Sequence, residues 1–169
     1  VKETTVVVKE DELLSSTIAN AFGKVGVVHE GVSTTSPAVA LGTPLGNYVI
    51  TDSSVVSDKH VVEFGDNALI YAVDTKFPEV GIAVLKLVEG KAPASVRVAD
   101  STQVRLGQSV VALPSASGTR VGIGSITAKY TLGRVGSAGE EVPIRALDTN
   151  IGGKIAYGAP LLNAFGDVL

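Results

Sequence analysis

Two histidines, two adjacent serines and one lysine are the side chains of this sequence best suited to chemistry. His29 and His60 are the only imidazoles, and there is no cysteine. An imidazole can act as a general base or bind a metal. Together with a carboxylate the two could form a metal site, but nothing in their spacing follows a ligand pattern. Each is expected to be a strand or surface residue, and no metal is expected. Ser53 and Ser54 are candidate nucleophiles, and a serine hydroxyl needs a base beside it. A Ser–Lys dyad with Lys154 is the pairing on offer; the plainer reading of Lys154 is a solvated loop residue. Without cysteine there is no thiolate nucleophile, no disulfide framework and no zinc–thiolate site. Gly122 and Gly124 bracket Ile123, yet no helix and no Walker-type lysine follow them. A phosphate cradle is therefore not expected, and no cofactor is expected.

The elements that must position these residues are strands. Val, Thr, Gly and Ala dominate, in short alternating runs between Gly, Pro, Asn and Asp clusters. That pattern marks an all-β sandwich or barrel. Strands are predicted near 4–8, 25–31, 37–43, 47–51, 60–64, 68–74, 82–87, 96–98, 109–113, 121–129, 142–148 and 160–163. One segment has helical spacing: Leu14, Ile18 and Phe22 form an apolar stripe. Asp11 can cap its start, and Gly23 can end it in the left-handed conformation. Val88–Asp100, with Gly90, Pro93 and Ala94, reads as a linker. Thr131–Glu141, with Gly133, Gly136, Ser137 and Gly139, reads as a mobile surface loop. No fixed-period repeat is evident.

Composition narrows the function classes. The chain has 169 residues, 45% of them hydrophobic, enough for one domain or two small barrels sharing an interface. Its 14 basic and 17 acidic residues give a net charge of −3, with no basic block. Nucleic acid and acidic membrane surfaces are unsuitable partners for such a chain. No apolar run approaches the ~18 residues that span a bilayer. No signal segment is visible at Val1-Lys2-Glu3 and there is no methionine, so residue 1 is not expected to be the native start.

Three stretches carry a family resemblance. They are Gly46-Asn47-Tyr48-Val49-Ile50-Thr51-Asp52-Ser53-Ser54-Val55-Val56, then Val80-Gly81-Ile82-Ala83-Val84-Leu85-Lys86-Leu87, then Tyr157-Gly158-Ala159-Pro160-Leu161-Leu162-Asn163. They resemble the G-x-I-V-T-N-x-H-V-V, A-D-I-A-L-L-K-I and G-N-S-G-G-P-L-L-N segments of trypsin-like serine proteases of the HtrA kind. Gly122-Ile123-Gly124-Ser125-Ile126 and Leu106–Leu113 resemble two further structural segments of that family. The resemblance implies a trypsin-like double β-barrel, two Greek-key-type barrels with a short N-terminal helix. Residues 1–24 would hold the N-terminal strand and helix, 25–88 the first barrel, 89–100 the linker, and 101–169 a second barrel expected to be incomplete at its C-terminal end.

The same resemblance implies that the reaction is lost. The base, orienting and nucleophile positions fall on Ser54, Gly81 and Tyr157. None can play its part in a triad. No serine lies between Ser137 and the end, so a small shift of alignment restores no nucleophile. Ile155 stands where a glycine shapes the oxyanion hole, and a β-branched residue resists positive φ. Asp52, Ser53, Ile155 and Gly158 would line the cleft. Asp52 replaces the family's Asn and is expected to cap a turn; Asp148 mirrors a family Asp and is expected to make a structural hydrogen bond. The expected function is a non-catalytic pseudoprotease domain that binds or scaffolds. The alternatives are a divergent serine hydrolase with a relocated nucleophile and a rigid module of a larger envelope protein. A protein or peptide partner, homo-oligomerisation and an extracytoplasmic location, periplasm or cell surface, are implied by resemblance. Any signal or membrane anchor would lie outside this segment.

Overall fold

Alternation of small and branched apolar residues closes the first half of the chain on itself. The computed structural model describes residues 15–16, 18–20, 23–113, 120–136 and 138–169. Six antiparallel strands form a closed barrel: β1 (Gly26–His29), β2 (Ala38–Leu45), β3 (Tyr48–Asp52), β4 (Lys59–Phe64), β5 (Asn67–Phe77) and β6 (Ile82–Leu87). Their order around the barrel is β1-β2-β3-β6-β5-β4, with β4 returning to β1. Along β3, Val49 and Thr51 are buried while Tyr48 is exposed, the period-two pattern of a strand with one face inward. Val28, Val49, Val62, Tyr71 and Leu85 fill the interior and are fully buried. Each such side chain contributes about 1.5–3 kcal/mol by leaving water. The barrel is tight enough that Gly42 has no room for a side chain; a Cβ there would lie 2.6 Å from Val49 Cγ1.

The second half repeats part of this plan. Strands β7 (Ser109–Ala112), β8 (Gly122–Val135), β9 (Glu141–Thr149) and β10 (Leu161–Asn163) form an antiparallel sheet in the order β10-β7-β8-β9. That is the order β4-β1-β2-β3 of the first barrel, left open. Val104, Val110 and Ile126 make its core, with Leu147, Ile151, Leu161 and Leu169 packed around them. A third cluster joins the halves: Val25, Leu41 and Leu113, with Val27, Ala156 and Ala159 against them. The segment between the halves is tied to β2, since Val96 N–H donates to the Pro44 carbonyl at 3.0 Å and Gly46 N–H donates to Ser95 Oγ at 2.7 Å.

Several expectations need correcting. Thr131–Glu141 is not a loop: β8 runs to Val135 and β9 starts at Glu141, in register Val135↔Glu141. Glycines suggested a break, but Gly133 pairs with Pro143 inside the ladder. Residues 96–98 form no strand; Val98 makes one isolated bridge to Val168. The described residues of 15–24 are helical, as the spacing predicts, although Leu14, Phe22, Asp11 and strand 4–8 lie outside the described residues. Gly23 is itself helical and has no positive φ, so the helix does not end there in a left-handed turn.

Candidate functional site

The site is built where β3 ends. A 3-10 turn, Ser53–Val55, follows Asp52, and the Asp52 carboxylate caps it. Asp52 Oδ1 accepts from the Ser54 amide at 2.8 Å and from the Ser54 hydroxyl at 2.5 Å. The Ser53 amide donates to the Gly81 carbonyl at 3.0 Å, which sets positions 54 and 81 side by side. Gly81 has a φ of 73° and closes the turn into β6, its amide donating to the Pro78 carbonyl at 3.2 Å. Behind them the buried Thr51 hydroxyl donates to the Leu41 carbonyl at 2.8 Å.

The third position arrives from the other half. The Leu41 amide donates to the Tyr157 carbonyl at 2.8 Å. Gly158 has a φ of 72°, and a Cβ there would collide with the Leu41 carbonyl oxygen and lie 2.6 Å from Thr51 Oγ1. Only glycine suits so close an approach at that φ. Ala156 and Ala159 pack into the cluster between the halves. Ser54, Gly81 and Tyr157 are thus carried by segments that touch one another, as a triad's would be. The Tyr157 side chain is 53% exposed.

The backbone around them is regular wherever a side chain is present. No non-glycine residue among those described has a positive φ, Ile155 included. Ile151 and Ile155 instead fold onto β8: a Cβ on Gly122 would be 2.6 Å from Ile151 Cγ2 and 3.5 Å from Ile155 Cδ1. Lys154 is exposed and makes no hydrogen bond or ion pair with the described residues, so nothing pairs it with Ser53 or Ser54. Asp148 accepts from the Tyr130 hydroxyl at 2.9 Å, and that hydrogen bond, followed by the carboxylate's charge, raises the Tyr130 phenol above its ordinary value. Among the described residues no three potential ligands gather as a metal site.

The histidines are elsewhere and committed. His60 is a strand residue but fully buried; its Nδ1 lies 2.7 Å from the His29 carbonyl and its Nε2 accepts from the Ser57 amide at 2.9 Å. His29, also buried, has Nδ1 2.7 Å from the Ser36 carbonyl and Nε2 2.5 Å from Glu63 Oε1. The second contact is a close approach and not an aligned hydrogen bond. Sequence reasoning missed this network because β1 and β4 meet only through barrel closure.

It also missed a repeat. Asp100 caps the 3-10 turn Ser101–Gln103 as Asp52 caps its own: Asp100 Oδ1 accepts from the Thr102 amide at 2.9 Å and the Thr102 hydroxyl at 2.7 Å. These bonds, the hydroxyl's first, hold the Asp100 carboxyl below the usual range. In each turn the following buried valine is bound by a distant lysine. Lys76 Nζ donates to the Val56 carbonyl at 2.8 Å, and Lys129 Nζ to the Val104 carbonyl at 2.7 Å. The signal was present as Asp-Ser-Ser-Val-Val and Asp-Ser-Thr-Gln-Val, two runs too short to show as a period.

These barrels and their junction define the class: the chain has the trypsin-like double-barrel fold of HtrA-type proteases. It is similar to the MamO protease domain from Magnetospirillum magneticum, with 25% identity over 88% of this chain and 82% of that one and a TM-score of 0.67. It is similar to the Rv3671c protease of M. tuberculosis in its inactive form, with 20% identity, 91% and 78% coverage and a TM-score of 0.70. The HtrA-type protease AlgW, solved with a tripeptide, shares 20% identity over 92% of this chain and 52% of its own length, with a TM-score of 0.70. No family model and no curated protein matches the sequence.

Proposed function

We propose that this domain is a pseudoprotease: it keeps the trypsin-like cleft and binds a polypeptide there without cleaving it. The carrying observation is the use of Ser54. Its hydroxyl donates to Asp52 in the same way that Thr102 donates to Asp100 in a turn remote from the cleft. A group that recurs where no catalytic frame exists is a turn stabiliser, and its hydrogen is already given to a carboxylate. Gly81 offers no side chain to orient a base, and Tyr157 offers a phenol. Barrel closure rests on apolar alternation, so the cleft survives the loss of the triad.

The exposed Tyr157 ring is suited to contact a bound chain, since tyrosine supplies area at low entropic cost. That AlgW was solved with a tripeptide supports a peptide as the ligand class. We place the domain outside the cytoplasm, in a homo-oligomer, on the family resemblance alone; no described helix is long and apolar enough to cross a membrane.

The test is intact-mass spectrometry after treatment with a fluorophosphonate serine probe, alongside an active trypsin-like protease. We expect no adduct. A single stoichiometric adduct, on Ser54 or elsewhere, would replace this reading with that of a divergent hydrolase. A protein that takes no probe and binds no peptide from a display library would be a structural module.

A further inference from the structure

His60 is held by two backbone groups of opposite kind. A backbone carbonyl can only accept and a backbone amide can only donate. His60 sits between one of each. Its Nδ1 must therefore carry hydrogen for the His29 carbonyl, and its Nε2 must stay bare for the Ser57 amide. His60 satisfies both only as the neutral Nδ1–H tautomer. His29 Nδ1 lies 2.7 Å from the Ser36 carbonyl, which ties the β1–β2 loop to the end of β1.

The segments joined are distinct. His29 ends β1, Ser36 lies in the β1–β2 loop, Glu63 is on β4, and Ser57 lies in the stretch between turn Ser53–Val55 and β4. The Val61 amide adds a bond to the Gly31 carbonyl at 2.8 Å. We propose that His60 is a pH-gated latch between the end of β1 and the Ser57 stretch, closed only while its ring is the neutral Nδ1–H tautomer.

Acidification adds a hydrogen to His60 Nε2, where the Ser57 N–H already points, and two donors face each other. The latch therefore opens on acidification and frees the stretch next to Ser54. Of the charged groups nearby, Glu30 in the β1–β2 loop, Asp58 before β4 and Lys59 on β4 are exposed, and Lys76 from β5 donates to the Val56 carbonyl beside Ser57. β2 brings no titratable side chain, and β5 brings Tyr71, the register partner of His60. This device is independent of whether the cleft binds peptide.

The test is NMR of the whole chain carrying 15N-labelled histidine, with amide exchange measured at several pH values and corrected for intrinsic rates. At neutral pH His60 should show hydrogen on Nδ1 and none on Nε2. Protection of the Ser57 amide should fall roughly tenfold as His60 protonates, the worth of one hydrogen bond. In His60→Gln, whose amide can donate and accept without titrating, that protection should not change with pH. Hydrogen on His60 Nε2 at neutral pH overturns the proposal. So does a Ser57 amide that keeps its protection after His60 is protonated, or a His60→Gln protein with the wild-type acid response. If His60→Gln does not fold, the wild-type tautomer and the wild-type exchange profile decide.

Discussion

Tyr71 fills the centre of the first barrel with a ring the core needs and a hydroxyl it does not use. The side chain is fully buried and tilts against Phe64, ring centroids 6.2 Å apart. Its hydroxyl meets no partner among the described residues, and burial raises the phenol above its ordinary value. An unsatisfied buried hydroxyl costs about 1–3 kcal/mol. Tyr71→Phe keeps the ring and removes that cost, so stability to urea should rise by roughly 1 kcal/mol or stay level. A loss greater than about 1 kcal/mol would mean that the hydroxyl is bonded after all. Nothing in the sequence announced this, because a tyrosine in an alternating run shows its period and not what its oxygen touches. The histidines were opaque for the same reason. Their types were legible as chemistry, while the contacts of His60 with the His29 carbonyl and of His29 with Glu63 arise only when β1 and β4 pair.

The two Asp-capped turns show what a short element does by itself. In the second, the hydrogen bonds from Thr102 lower the Asp100 pKa. A depressed carboxyl contributes stability above its unfolded value, and that contribution disappears as pH falls through the folded value. Thr102→Ala removes the larger of the two bonds, so Asp100 should titrate closer to an ordinary carboxyl, as followed by carbon-detected NMR. An unchanged titration would assign the depression to some other group. Most strands of the first barrel were legible, since alternation, turn residues and burial agree there. β9 was legible almost whole, at 142–148 against Glu141–Thr149, but β8 only as far as Lys129. Beyond Ile126, β8 pairs with β9 alone, and its residues from Lys129 to Gly133 are exposed on both faces. An alternating pattern has no reason to persist where neither face is buried, and the glycines then outweighed it. The linker near 96–98 failed in the opposite sense: its apolar residues bind β2 and Val168 singly and never form a ladder.

Across the whole molecule the trypsin-like frame is held by backbone contacts and apolar packing. If Ser54, Gly81 and Tyr157 are lost triad positions, as we propose, putting three side chains back should not by itself yield a reaction. Asp at position 81 would have to adopt a φ of 73°, which L-residues take up at a cost of about 1–2 kcal/mol. Ile155 lacks the backbone turn that an oxyanion donor needs, and Ile151 and Ile155 are seated on β8. The triple variant Ser54→His, Gly81→Asp, Tyr157→Ser should cleave unfolded casein no faster than wild type and take no fluorophosphonate. Labelling at position 157 in that variant would show that the loss was confined to three side chains. That motifs flanking the triad sufficed to give the fold, while the shape of the loop before Tyr157 was beyond them, has one physical source. Flanks are fixed by barrel packing, whereas this loop is fixed by where two isoleucines happen to find room.

The hydrogen bond from Leu41 to Tyr157 also has a cost in time. It joins β2 to a loop near the far end of the chain, while every ladder in either half links strands much closer in sequence. Closing the longer loop takes the larger toll in chain entropy, so that link belongs among the last to form. The cleft is thus assembled only after both halves already exist, and a chain caught between those events would hold two formed sheets and no cleft between them.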